Sequence, residues 1–134
     1  MPFAQRITII RTTTRTTGSI NDEIKWLGHA LGLFSLRDRE SSCYRIFVEL
    51  LKGAKQQQPL SSDELAHRLG LSRGTVMHHM NRLMEAGLVT MQRNKYALRD
   101  ENLEVVLADL RRDMEKAFGE LQKMAKRIDK ELGI

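Results

Sequence analysis

The apolar positions of this 134-residue chain change period several times, and each change marks an element. Residues 3–17 combine Phe3, Ile7, Ile9 and Ile10 with a run of threonines, the make-up of a β-strand or an extended arm. Gly18-Ser19 interrupts it. Ile20, Ile24, Leu27 and Leu31 then recur at helical spacing. A first helix is expected there, with Ser19 as its N-cap and Asp22 three residues on. Gly28 and Gly32 weaken it late, and 33–36 is a short connector. A second helix is expected over 38–52, with Ile46, Phe47, Leu50 and Leu51 as its apolar face and Gly53 as its stop. Residues 55–59 are polar, end in Pro59 and read as a loop, and Leu60 offers a short strand.

Ser61 or Ser62 opens a third helix, and Ser61 with Glu64 has the spacing of a capping box. Its apolar positions are Leu65, Ala66 and Leu69, and Gly70-Leu71-Ser72 makes a turn. Ser72 caps a fourth helix over 73–86, stopped by Gly87, with Val76, Met80 and Leu83 as its buried stripe. Residues 88–91 and 96–99 read as two strands around the polar turn 92–95. Asp100-Glu101-Asn102 restarts helix, acids first as the helix dipole favours.

The last segment, 102–132, holds no proline. Leu103, Leu107, Leu110, Met114, Ala117, Leu121, Met124 and Ile128 alternate spacings of four and three, an unbroken heptad seam. A helix of about 30 residues spans about 45 Å, longer than a domain of this size can cover. The seam therefore needs a partner. One solution folds it back on the N-terminal helix of the same chain. The expected one is a coiled-coil contact to a second copy.

Composition narrows the class. Hydrophobic residues make up 41%, enough for a core without disulfides or metal. Cys43 is the one cysteine, which excludes a disulfide framework and every zinc pattern with two thiolates. Beside Ile46 and Phe47 it reads as a small buried hydrophobe. No apolar run approaches the roughly 20 residues of a membrane span, and the N-terminus lacks the apolar stretch of a secretory signal. A cytoplasmic protein is expected. The net charge is +5, and it is unevenly spread. Residues 1–35 carry 4 basic and 2 acidic side chains, residues 36–99 carry 11 and 6, and residues 100–134 carry 7 and 9. Within 65–99 stand Arg68, Arg73, Arg82, Arg93, Lys95 and Arg99 against the single acid Glu85. Such a one-sign window is the footprint of a nucleic-acid partner.

Helix, glycine-containing turn, helix and basic hairpin together make a helix-turn-helix with a wing. The second helix must be apolar on one side to dock and polar on the other to enter a major groove. With Val76 as the buried direction, Met80 and Leu83 return close to it at 100° per residue. Thr75, His78 and Arg82 lie away from it. His79 falls at the core edge, and Arg73 in the first turn reaches past the helix end. No metal site is expected, because His78 and His79 point about 100° apart on a helix and chelate poorly. No catalytic constellation is present, so no enzyme and no cofactor are expected. Trp26, Phe34, Tyr44, Phe47 and Phe118 read as core, with an effector pocket between the first and last helices as the alternative.

The stretch Leu69-Gly70-Leu71-Ser72-Arg73-Gly74-Thr75-Val76-Met77-His78-His79-Met80, followed by Leu83-Met84-Glu85-Ala86-Gly87-Leu88-Val89, resembles the core of ArsR/MarR-type winged helix-turn-helix transcription regulators. The resemblance covers 36–99 and is most specific over 61–91. It implies a mainly α fold with a small β-hairpin wing and a homodimer on palindromic double-stranded DNA. It also implies base contact near His78, and a wing tip of Arg93, Asn94 and Lys95 along the backbone or minor groove. Met77 replaces the small polar residue usual in the family, and can pack on a thymine methyl. The cysteine motif of the arsenic and cadmium sensors is absent, Leu65-Ala66-His67-Arg68-Leu69 standing in its place. The candidate DNA-binding residues are thus Ser72, Arg73, Thr75, Met77, His78, Arg82, Arg93, Asn94 and Lys95. The expected organisation is an arm and helix at 1–35, a winged domain at 36–99 and a dimerisation helix at 100–134. The expected function is a sequence-specific transcription regulator, by default a repressor. Its rivals are an architectural DNA binder and a winged-helix protein–protein module. The sequence names no small-molecule effector.

Overall fold

The computed structural model describes residues 4–11, 18–34 and 41–134. Expectations that rest on Phe3, on the threonine run at 12–17 and on a helix start at Asp38 lie outside the described residues. Within them the order is α1 (Ile20–Ala30), α2 (Ser42–Gln56), β1 (Leu60–Ser61), α3 (Ser62–Leu69), α4 (Arg73–Glu85), β2 (Val89–Gln92), β3 (Lys95–Leu98) and α5 (Leu103–Leu132).

Capping sets the boundaries of the three helices that matter most. At α3 the Glu64 N–H donates to Ser61 Oγ at 3.1 Å while the Ser61 N–H donates to Glu64 Oε1 at 3.4 Å, so the capping box closes in both directions. Gly70 takes φ +64 and ends α3. At α4 the Thr75 N–H donates to Ser72 Oγ at 3.1 Å, and at α5 the Val105 N–H donates to Asn102 Oδ1 at 2.9 Å. Ser19 has the extended backbone of an N-cap but makes no side-chain capping bond, so that part of the expectation for α1 fails.

The end of α2 also departs from expectation. The helix passes through Gly53 to Gln56 and ends with Gln57 at φ 55. Gly53 is needed for space rather than as a stop. A Cβ there would lie 2.8 Å from the Gln58 carbonyl oxygen, where the chain turns back toward β1. The Gln58 N–H closes that turn on the Gly53 carbonyl at 2.9 Å.

The sheet has the order β1-β3-β2, all antiparallel, with Leu60 opposite Tyr96, Val89 opposite Leu98 and Met91 opposite Tyr96. Leu60, Val89, Tyr96 and Leu98 point into the core. Lys95 stays exposed in the alternation of β3, whereas in β2 only Val89 is buried and Thr90, Met91 and Gln92 are all exposed. Residues 4–11 form no strand. They lie as an arm, the Arg6 N–H donating to the Glu85 carbonyl at 2.9 Å and the Ile10 N–H to the Ala30 carbonyl at 2.7 Å.

One core binds the three segments together. Ile46, Phe47 and Leu50 of α2, Leu65 of α3, Val76, Met80 and Leu83 of α4, and Leu88 before β2 are at most 1% exposed. Leu33 joins them from the N-terminal side and Val106 and Leu110 from α5. Each such side chain contributes about 2 kcal/mol of hydrophobic burial. Phe34, Tyr44 and Phe47 meet edge to face, with centroids 5.7 and 6.3 Å from Phe34. Phe118 is 59% exposed and takes no part in that cluster.

The seam of α5 is divided. Leu103, Val106, Leu107 and Leu110 pack on the core. Further on, Leu121, Met124 and Ile128 are 64%, 54% and 49% exposed, so α1 does not cover them. No helix among the described residues is long and apolar enough to cross a membrane. Helix α3, the Gly70 turn, helix α4 and the β2–β3 hairpin form a winged helix-turn-helix, braced by α2 and by the first turns of α5.

Candidate nucleic-acid interface

Helix α4 buries Val76, His79, Met80 and Leu83 and turns its other side to solvent. The exposed positions are Arg73, Gly74, Met77, His78, Asn81 and Glu85. They recur at helical spacing and form one stripe down the helix. His78 and Met77 sit at its centre. Asn81 was missed by the sequence reading, although it lies 140° from Val76 on the same wheel; its amide can pair with an adenine edge. A Cβ at Gly74 would meet nothing within 4 Å, so the first turn of α4 offers bare backbone to an approaching phosphate.

Several expected contacts are already engaged. Ser72 Oγ accepts the cap bond of α4 and donates to Thr75 Oγ1 at 2.8 Å, so both hydroxyls serve the helix start. Arg73 Nε lies 2.9 Å from Asp63 Oδ1 on α3, with both side chains more than two-thirds exposed. Arg82 is half-buried and donates from Nη2 to the Gly32 carbonyl at 3.0 Å, tying α4 to the turn after α1. It therefore does not belong to the exposed stripe. His79 is 8% exposed, its ring edge-on to His78 with centroids 5.1 Å apart, in keeping with an edge-of-core residue.

The remaining cations sort by partner. Arg68 lies 3.8 Å from Glu49 and 3.7 Å from Glu64. Arg99 lies 2.6 Å from Asp113 and 3.9 Å from Asp109. Among the described residues, Arg93 and Lys95 alone of the 65–99 window make no ion pair and no side-chain hydrogen bond. The positive footprint of this window therefore contracts to the wing.

Wing geometry puts those charges forward. Gln92 pairs with Lys95, leaving Arg93 and Asn94 as a two-residue hairpin loop at φ 52 and 64. Both central residues at positive φ define a type I′ turn. Asn tolerates that conformation; Arg does so at a steric cost of about 1 kcal/mol. A glycine would be the relaxed choice at 93, so the guanidinium is carried to the tip at some expense in stability. Thr90, Gln92, Arg93, Lys95 and Ala97 line an open basin with Pro59 on the outer face of the sheet. On the inner side the Tyr96 hydroxyl donates to Met77 Sδ at 3.5 Å, which fixes wing and recognition helix to each other. The described residues contain no cluster of three or more metal-ligating side chains.

Comparison with known proteins converges on this segment. Residues 40–92 match the family model described as a helix-turn-helix domain. Comparison with curated proteins and with solved structures finds no match. The matched stretch runs from the start of α2 to the end of β2, and so contains the recognition helix and the first strand of the wing. By this similarity the segment resembles a helix-turn-helix domain, which suggests DNA binding and transcription regulation.

Proposed function

We propose that this chain is a sequence-specific, double-stranded DNA-binding transcription regulator of ArsR/MarR type, acting in the cytoplasm as a homodimer on a palindromic operator. The observation that carries this reading is the pairing of two surfaces. One is the solvent-facing stripe of α4, with Met77, His78 and Asn81 able to meet base edges. The other is the wing tip, with Arg93 and Lys95 uncommitted and Asn94 between them. In this reading α3 braces the phosphate backbone, α4 enters the major groove and the wing follows the neighbouring backbone or minor groove. Gly74 and the Ser72 cap bring the first turn of α4 to a phosphate. Arg73 reaches the same backbone by exchanging Asp63 for DNA. Arg82 holds α4 in position. Two such units related by a dyad place their recognition helices about 34 Å apart, one turn of DNA. Bound there, the protein represses by excluding polymerase. It carries no catalytic role.

A second reading, an architectural binder with little sequence preference, draws on the same charge pattern. The free cations sit on the wing, where they meet phosphate, and not on the base-facing stripe. Fluorescence anisotropy with a random-sequence duplex of about 30 base pairs, at 50 and 200 mM salt, tests the shared claim. Binding at low salt that weakens steeply at high salt is expected. No binding at 50 mM salt contradicts DNA recognition altogether and leaves a protein–protein module.

A further inference from the structure

The distal half of α5 carries a bare apolar face: Phe118, Leu121, Met124, Ile128 and Leu132 are each about half exposed or more. We propose that this face pairs with a second copy of itself in antiparallel orientation, with the two-fold axis crossing between residues 122 and 123. The proposal rests on the homodimer reading above and adds its orientation and register.

Size and charge complementarity select the arrangement. In an antiparallel pair centred there, the seam residue Leu121 meets Met124 of the other copy, and the small Ala117 meets the large Ile128. The residues flanking the seam pair in the same way. Phe118 lies against Ala125 of the other copy, a large ring over a methyl. Glu120 lies against Arg127 of the other copy, and symmetry makes that ion pair twice. Among the described residues neither Glu120 nor Arg127 has an ion pair within its own chain, so both are available.

The competing registers are worse for identifiable reasons. A slip of one heptad toward the N-terminus puts Glu120 against Glu120 at the axis. A slip of one heptad the other way puts Arg127 against Arg127. The parallel arrangement sets Glu120 beside Ala125, Arg127 beside Leu132 and Glu131 against Glu131 within the seam. Each alternative sets like charges against each other. The antiparallel register centred at 122–123 avoids this, with the seam residue Glu131 lying against Met114 at each end of the pairing.

This arrangement also suits the DNA reading. An antiparallel pair has its two-fold axis perpendicular to the helices and carries the winged domains at opposite ends. A palindromic duplex likewise has its dyad perpendicular to its length.

Site-specific cross-linking in the full-length chain tests the proposal, in a Cys43→Ala background. Ala117→Cys and Ile128→Cys chains are co-expressed and oxidised, and each is also oxidised alone. The expected result is a 117–128 cross-link in the mixture and none in either variant alone, since the two copies of residue 117 are offset by about 16 Å along the axis. Cross-linking of Ala117→Cys alone establishes the parallel pair, and absence of any cross-link excludes this register; either overturns the proposal. Charge exchange gives a second readout by sedimentation. Glu120→Arg is expected to weaken self-association about tenfold at low salt, and adding Arg127→Glu to restore it. A dimer indifferent to both changes overturns the register while leaving the homodimer intact. A native chain that sediments as a monomer at micromolar concentration overturns the dimer as well. DNA retention in the anisotropy assay is scored separately and speaks only to the functional reading.

Discussion

Arg99, the residue after β3, grips Asp113 of α5 with both amino groups, at 2.6 and 3.4 Å. Gln5 of the arm donates to the same carboxylate at 2.8 Å, and Asp109 lies 3.9 Å from Arg99 Nε. Three distant stretches of chain thus meet at one carboxylate, beside the Gly87 turn that separates α4 from the wing. The network fixes the angle at which α5 leaves the winged domain, and so the spacing at which a dimer would present its recognition helices.

The hydrogen bond from Arg99, and then the one from Gln5, hold the Asp113 carboxyl below the usual carboxylate range, while Asp113 raises Arg99. A depressed carboxylate contributes stability above its unfolded value near pH 4, and that contribution is lost as pH falls through the lower folded value. Asp113→Asn is expected to cost about 1–2 kcal/mol at pH 7, with the deficit shrinking as pH drops below about 4. Thermal unfolding of the two proteins at pH 7 and pH 3 checks this. A deficit that stays constant over that range means the pair is not the source.

Salt dependence separates the cations by their present partners. Arg93→Ala and Lys95→Ala are each expected to weaken duplex binding and to reduce the slope of log affinity against log salt by about 1. Asp63→Asn is expected to act the other way. It releases Arg73 from its 2.9 Å partner, strengthens binding and steepens the slope. Anisotropy titrations between 50 and 200 mM salt measure all three, and a slope unchanged in the wing variants removes the wing from the interface.

Arg82 tests whether a charge in the recognition helix touches DNA or holds the fold. Its bond to the Gly32 carbonyl predicts that Arg82→Ala lowers stability by about 1–2 kcal/mol. At a temperature where both proteins are folded, the variant is expected to keep the preferred sequence. His78→Ala should do the reverse, leaving the unfolding temperature within about 1 °C and altering the preference. Scanning calorimetry paired with binding to a fixed duplex tells the two roles apart.

Gly53 sets propensity against space. Helix propensity alone favours Gly53→Ala by about 1 kcal/mol. The added Cβ, 2.8 Å from a backbone oxygen, costs more, because the Gln58 carbonyl cannot move without opening the turn into β1. Net destabilisation of about 1–2 kcal/mol is expected in chemical denaturation, and a stabilised variant would show that the turn yields.

The sequence made the winged architecture legible because its signals are local. The box from Ser61 to Glu64, the Ser72 cap, the stripe Val76, Met80 and Leu83 and the short β2–β3 loop all lie within a few residues of what they specify. What it could not reveal depends on distant partners. The six basic residues of 65–99 look like one continuous footprint along the chain. In space Asp63, Glu64, Glu49, Asp109 and Asp113 neutralise three of them, and a carbonyl of the α1 turn takes Arg82. Gly53 failed as a stop for the same reason, since the atom that requires a glycine belongs to the chain after the helix. Asn81 was within reach of helical-wheel arithmetic and needed only a polar residue opposite Val76 to be counted.

The central claim is that the α4 stripe and the wing read a defined sequence as a symmetric pair. Selection of bound duplexes from a randomised pool at about 150 mM salt, read by sequencing, tests it most directly. An enriched motif with two-fold symmetry and half-sites about one helical turn apart, lost in His78→Ala, is the predicted result. Retention of DNA without any enriched motif would contradict it.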